Sequence, residues 1–197
     1  MQEFTILNSF FGILTSLFVF IGIFPYLIGI RKKKIHPHVL SWIGWGMVAT
    51  LGTWAMASEG FTWGVVVVGV NAVACFVFVV YSIIKKVGIW KASVYDFWIF
   101  ILGFIGLVLW QASSNPDLAI VFAILADFSF GLLTLIKIYK NPYSETILPW
   151  IFSILAGASS LLAISYISFT EIAYPVYIAI YDVCLFAILL VMRKIKK

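Results

Sequence analysis

The chain has 197 residues, of which 63% are hydrophobic, 18% aromatic and only 11% charged. Soluble domains carry about 25% charged residues, so this chain has too few charges to cover a water-facing surface. The composition therefore excludes a soluble domain, a disordered tail and a disulfide-rich secreted scaffold. The two cysteines, Cys75 and Cys184, lie in apolar segments, where packing is their expected role. The sequence predicts an integral membrane protein.

Seven apolar segments are each about long enough to cross a bilayer, which takes about 20 residues. They predict an all-α integral membrane protein with seven transmembrane helices near residues 4–30, 39–57, 61–84, 93–112, 117–137, 146–168 and 172–192. The connections between these segments are short, so we expect no soluble catalytic or binding domain. Any site is therefore expected inside the bilayer.

All 13 lysines and arginines fall in four clusters that follow helices 1, 3, 5 and 7. Seven crossings place these clusters on one side of the membrane, and basic residues mark the cytoplasmic side. We therefore expect a multi-pass protein of the cytoplasmic membrane with its N-terminus outside and its C-terminus in the cytoplasm. Membrane topology accounts for the basic clusters, so lipid is an expected partner and nucleic acid is not.

Two segments of the chain resemble each other. Each ends a helix with basic residues, crosses a short loop that contains a proline (Pro37 or Pro142), and enters the next helix at a tryptophan (Trp42 or Trp150). This similarity indicates an internal repeat.

The third helix of each segment extends the match. Asn71 lies 14 residues before Lys85 in the run IIKK, and Asp182 lies 14 residues before Lys196 in the run KIKK. These positions predict two parallel three-helix repeats, 1–92 and 116–197, joined by a linker helix in 93–115. Parallel repeats of this 3+1+3 kind are one plan used by transporters.

Three polar residues lie near the middle of apolar helices: Asn71, Asp127 and Asp182. An aspartate at a helix centre costs about 2.5–3.5 kcal/mol to insert, and an interhelical hydrogen bond returns only about 0.6 kcal/mol. This imbalance favours a functional role for Asp182. For Asp127, packing and function stay equally open. We expect Asn71 and Asp182 to bind substrate, with Asp182 and Asp127 as candidates for proton coupling.

Two aromatic residues and one proline complete the candidate site. Trp54 lies 17 residues before Asn71, and Tyr166 lies 16 residues before Asp182, in each case across a short outer turn. An aromatic face beside a hydrogen-bonding group suits a small polar ligand, although Trp54 also fits a membrane-interface anchor. Pro25 interrupts the hydrogen bonding of helix 1 and is a candidate hinge.

No metal-spaced Cys/His cluster, glycine-rich phosphate loop or HExxH, GxGD or GxSG motif occurs in the sequence. His36 and His38 flank a proline and are expected to be solvated. We therefore expect neither a metal, a cofactor nor an enzyme.

The 3+1+3 plan, the proline-bearing basic loop and the run from Trp54 to Asn71 resemble the SWEET and PQ-loop transporter superfamily. The resemblance implies a central solute pocket bounded by Asn71 and Asp182, with Trp54 and Tyr166 as aromatic partners. It also implies rocking of the two halves, assisted by proline.

The chain departs from the superfamily pattern at three places. Pro25-Tyr26 and Thr134-Leu135 stand where PQ dipeptides are expected, and Asp182 stands where a SWEET has asparagine. A membrane aspartate fits a proton-coupled carrier better than a sugar uniporter.

The leading hypothesis is a transporter that moves a small polar solute, either sugar-like or a proton-coupled metabolite, by alternating access. Alternatives are a receptor of the same fold that does not transport, and a vitamin carrier of the nicotinamide riboside type. A retinal protein is excluded, because residues 172–192 contain no lysine for a Schiff base. Assembly into a homo-oligomer stays open.

Overall fold

The computed structural model describes residues 6–59, 63–89, 92–164 and 168–196. In these ranges the chain is all-α, as predicted. The seven helices are α1 (Ile6–Arg31), α2 (Val39–Glu59), α3 (Trp63–Lys85), α4 (Val94–Ala112), α5 (Pro116–Lys140), α6 (Leu148–Leu162) and α7 (Phe169–Ile195). A single 3₁₀ turn, Pro142–Ser144, lies between α5 and α6.

Five helices are long and apolar enough to cross a membrane, which agrees with a multi-pass membrane protein. These segments are Ile6–Arg31, Val65–Lys85, Val94–Ala112, Asp117–Lys140 and Ile172–Ile195. The outward faces of these helices carry large apolar side chains, such as Trp98, Leu102 and Ile105 on α4. A continuous apolar exterior of this kind needs lipid rather than water around it.

Helix α6 is shorter than predicted. It ends at Leu162 rather than at residue 168, and the backbone N–H of Ala163 makes the last hydrogen bonds of the helix, to the carbonyls of Ser159 and Ser160. Its 15 residues rise about 22 Å, less than the roughly 30 Å of a bilayer core. The sequence nevertheless carries no charged residue from there to residue 168, which is why the sequence pattern overestimated the helix.

Two helix starts follow from their capping residues. The Ser93 side chain accepts a hydrogen bond from the backbone of Asp96, whose carboxylate accepts one from the backbone of Ser93 in return. Asn115 caps α5, with Pro116 in the first turn, where a missing N–H matters least. Caps of this kind stabilise a helix by about 1 kcal/mol each.

For description, α1, α2 and α3 are taken as one set of helices and α5, α6 and α7 as another. Helix α3 packs against both α1 and α2, and α7 packs against both α5 and α6. The sets meet where α1 lies along α6 and where α2 lies along α5. The Asn8 amide of α1 also donates to the carbonyls of Ala163 and Ile164, at 3.1 and 3.0 Å. Helix α4 packs mainly on α5 and also touches α2.

Phe130 of α5 shows how closely α2, α4 and α5 approach one another. Its ring is fully buried between Gly44 and Gly103. A Cβ atom on Gly103 would lie 2.6 Å from the ring, and one on Gly44 would overlap it. Small residues at helix contacts are the usual means of close packing in membranes.

Candidate functional site

A cavity of about 100 Å³ lies where α1, α3 and α6 meet, with one side chain from α2. One water takes about 10–15 Å³ on this measure, so the cavity has room for several waters or one small solute. Aromatic side chains form a large part of its wall: Phe18, Tyr26, Trp42, Phe78 and Trp150. The uncharged polar side chains of Asn71 and Ser153 also line it.

The structure places Asn71 and Asp182 around this one cavity. Asn71 lines it directly from α3 and is exposed. Asp182 of α7 is only 4% exposed and reaches the cavity through Ser153 of α6, whose hydroxyl donates to the Asp182 carboxylate at 2.5 Å. A buried carboxyl that accepts a hydrogen bond from a cavity-lining hydroxyl can respond to what the cavity holds.

The aromatic residues predicted for the site are placed differently. Trp54 is 69% exposed and is not among the side chains that line the cavity. On the same helix, Trp42 does line it. Twelve residues separate the two, which at about 100° per residue turns Trp54 by roughly a third of a circle from Trp42. Tyr166 lies outside the described residues.

Asp127 has its own partners, away from the cavity lining. Its carboxylate accepts hydrogen bonds from the hydroxyls of Tyr174 and Tyr177, at 3.0 and 2.7 Å. Its main-chain carbonyl accepts one from the indole of Trp45 at 3.3 Å. These bonds join α5 to α7 and to α2, so Asp127 serves packing between the helices whatever else it does.

One end of the cavity is closed by three aromatic rings. The Tyr26 ring lies 4.9 Å from that of Trp42 and 4.5 Å from that of Phe78, centroid to centroid. Tyr26 is only 1% exposed. Its hydroxyl accepts a hydrogen bond from the Trp42 indole at 2.9 Å and donates one to the Glu145 carboxylate at 3.2 Å. Pro25, the candidate hinge, directly precedes Tyr26 within α1.

A buried ion pair lies behind these rings. Lys137 of α5 pairs with Glu145, and their side chains are 2% and 0% exposed. The Lys137 ammonium also donates to the main-chain carbonyl of His36 at 3.1 Å. The backbone N–H of His36 in turn donates to the carbonyl of Ser144 at 2.9 Å. The α1–α2 loop and the α5–α6 loop are therefore joined through this pair. We call Tyr26, Trp42, Phe78, Lys137 and Glu145 the closed end of the cavity.

Sequence reasoning missed most of this arrangement. Ser153, Tyr26 and Trp42 are residue types common in membrane helices, and nothing in their spacing separated them from neighbours of the same type. Lys137 was assigned to topology alone. The one available signal was Glu145, an acidic residue in a short loop that follows basic residues.

His38 differs from the expectation of a solvated side chain. It is 3% exposed, and its ring lies 4.0 Å from the Asp96 carboxylate. Burial lowers the pKa of His38 to about 4, even though the Asp96 carboxylate acts to raise it. His38 is therefore neutral at pH 7. His36 is exposed, as expected.

In the part of the chain that the structure describes, no group of three or more His, Cys, Asp or Glu side chains could hold a metal ion. No family model, curated protein or solved structure matches the chain. The resemblance to the SWEET and PQ-loop superfamily accordingly stays a prediction.

Proposed function

We propose that this protein is a membrane transporter that moves a small polar solute by alternating access. The observation that carries the proposal is a cavity between the two sets of helices that holds polar groups and is shut at one end by a buried network. The cavity is small, so the solute is small. Its few polar groups, set among apolar walls, are typical of a ligand site.

The helix packing supports a 3+1+3 plan with repeats 1–92 and 116–197. In each set the third helix packs against the first and the second. Between the sets, the first helix of each packs on the second helix of the other, which is α1 on α6 and α5 on α2. This reciprocal contact is what two similar units related by a two-fold axis along the membrane normal would make. Helix α4 is then the linker.

The proposed orientation follows from the basic clusters, with the N-terminus outside and the closed end facing the cytoplasm. Asn71 is exposed and lies seven residues before Phe78, about 10 Å along α3. A solute could then enter from the outer side and reach Asn71, but it could not leave inwards. Release to the cytoplasm would require Tyr26 and the Lys137–Glu145 pair to move.

The cost of opening fits a two-state transporter. Separating a buried charge from its partner costs about 3–5 kcal/mol when nothing replaces the partner. Because Lys137 binds both Glu145 and the His36 carbonyl, the two loops would have to part in one step. Cooperative opening of this kind separates two conformations rather than a continuous range.

Proton coupling is proposed for Asp182 ahead of Asp127. Asp182 contacts Ser153, which lines the cavity, so water or solute in the cavity can exchange a proton with it through that hydroxyl. Asp127 is held by two tyrosines that do not line the cavity.

The test begins with purified protein and a solute screen by thermal shift, because a bound ligand raises the melting temperature. Solutes that bind are then followed into proteoliposomes. Asn71→Ala should weaken binding by about tenfold to a hundredfold, since a buried hydrogen bond to the ligand is worth about 1–3 kcal/mol. Unchanged affinity in the folded variant would make Asn71 a packing residue.

Trp54→Phe is the matched control, because Trp54 lies away from the cavity lining and its replacement should leave affinity unchanged. Binding without flux would refute transport and favour a receptor of the same fold. Competition by nucleosides would favour a carrier of the nicotinamide riboside type.

A further inference from the structure

The cavity wall is rich in aromatic rings and has no basic side chain. Five of the described lining residues are aromatic: Phe18, Tyr26, Trp42, Phe78 and Trp150. None of the described lining residues is Lys, Arg or His. The faces of aromatic rings carry partial negative charge, which attracts a cation and repels an anion.

The charged groups behind the wall also favour a cation over an anion. Two carboxylates contact lining residues, Glu145 through Tyr26 and Asp182 through Ser153. Glu145 is neutralised by Lys137. In the described ranges, carboxylates lie within 4.0 Å of a basic side chain only at Glu145 with Lys137 and at Asp96 with the neutral His38, so Asp182 has no basic partner there. A positive charge in the cavity would therefore find a carboxyl one hydroxyl away.

We propose that the cavity binds a small organic cation, an ammonium or alkylated ammonium group. Its charge would lie among the rings of Tyr26, Trp42 and Trp150 and be drawn towards the Ser153–Asp182 pair, and the Asn71 amide would hydrogen-bond its polar remainder. One cation–ring contact changes affinity by about two- to thirtyfold. The inference rests on the proposed function for the position of the site, but binding itself does not require transport.

The test compares solutes that share a shape and differ in charge. One set is ethanolamine, its uncharged analogue 1-propanol and the anion glycolate, and a second, larger pair is choline and its uncharged analogue 3,3-dimethyl-1-butanol. Affinity is measured for the full chain in phosphatidylglycerol nanodiscs, which contain no ammonium headgroup. In at least one set the cation should bind tenfold or more tightly than its neutral partner, and the anion should not compete. Equal affinity of cation and neutral partner in both sets, or no binding of either cation at millimolar concentration, would overturn the proposal.

A lipid headgroup is the other source of the same chemistry. Repeating the measurement in discs that contain phosphatidylethanolamine separates the two sources. Loss of ethanolamine binding there would support the ammonium chemistry and identify the headgroup as the occupant. Unchanged binding would support a free solute.

Asp182→Asn keeps the shape of the side chain and removes its charge, so it should abolish most of the preference for the cation. Asp127→Asn is the matched control, because it makes the same change at a buried carboxyl whose partners do not line the cavity. Should Asp182→Asn fail to fold, Ser153→Ala gives a second reading, since it removes the contact between the carboxyl and the cavity. A preference for the cation that survives in the folded variant would overturn the proposal.

This outcome is separable from failure of the proposed function. Cation binding without flux would refute transport and leave the ammonium site standing. Flux of a neutral solute, with no preference for its cationic partner, would support transport and refute the ammonium site.

Discussion

The Lys137–Glu145 pair should behave as a strongly coupled buried pair, and Lys137→Met is the direct perturbation. This change leaves the Glu145 carboxylate buried with only the Tyr26 hydroxyl as a side-chain donor, because its Oε2 atom has no hydrogen-bond partner. An uncompensated buried charge of this kind costs about 3–5 kcal/mol. Glu145→Gln should cost a similar amount, because it leaves the Lys137 ammonium buried without a counter-charge.

The double variant distinguishes coupling from simple loss of packing. Removing both charges leaves no unpaired ion, so Lys137→Met with Glu145→Gln should cost at least 2 kcal/mol less than the two single changes added together. The assay is the free energy of unfolding in mixed micelles for the wild type, both single variants and the double variant. Lys140→Met is the matched control, because Lys140 is exposed on the same helix. Its effect should stay within about 0.5 kcal/mol.

A cysteine at position 144 gives a structural readout of the same event. Ser144 is buried and its carbonyl binds the other loop, so a thiol there should react slowly in the wild-type background. It should react faster once Lys137 or Glu145 is neutralised. Additive single changes, or single variants as stable as Lys140→Met, would refute the reasoning and leave the pair as a passive contact.

Three further outcomes are expected. The free energy of unfolding should fall by up to about 3 kcal/mol between pH 6.5 and pH 4, because the folded pKa of His38 is about 4 against its ordinary 6.5 and the unfolded chain takes up the proton first. Melting temperatures measured across this range should change less for His38→Gln, and a wild-type melting temperature that does not change there would contradict the prediction. Gly103→Ala should cost about 1–3 kcal/mol by overpacking against Phe130, whereas Gly52→Ala, whose Cβ would meet its nearest neighbour at 3.6 Å, should cost less than 1 kcal/mol. In proteoliposomes, the Asp182→Asn variant should still exchange solute at saturating concentration, but its flux should no longer depend on a pH gradient. If wild-type flux does not depend on the gradient either, Asp182 is a hydrogen-bonding group only.

The helices were predictable because a bilayer imposes simple rules. A spanning helix needs about 20 apolar residues, and its backbone must satisfy its own hydrogen bonds, so each apolar run had to be a helix. The exception, the early end of α6, shows the limit of that rule. Residues 163–168 carry no charge, but the helix ends at Leu162, and a search for uncharged segments does not detect that end.

The positions of Asn71 and Asp182 beside the cavity could be anticipated for a similar reason, whereas the direction of Trp54 could not. Asn71 and Asp182 stood out because polar groups in lipid are expensive, and the structure places both around one cavity. Trp54 was chosen by its distance along the chain from Asn71. That distance sets how deep Trp54 lies in the membrane relative to Asn71, but it does not determine the direction in which the Trp54 side chain points around its helix.

Lys137 shows why the closed end could not be found by counting charges. Counting treats every basic residue as a solvated marker of the cytoplasmic side. A lysine buried in the last turn of a helix therefore counts the same as a lysine in water. Its burial depends on the 3₁₀ turn Pro142–Ser144, which brings Glu145 back to α5 and seats the pair against the other loop. A chain with both charges in water would have the same composition and the same predicted topology. The two cases differ in the stability that is lost when Lys137 is neutralised. A large cost for Lys137→Met beside a negligible one for Lys140→Met would show that Lys137 acts as the buried partner of Glu145 and not as a solvated charge.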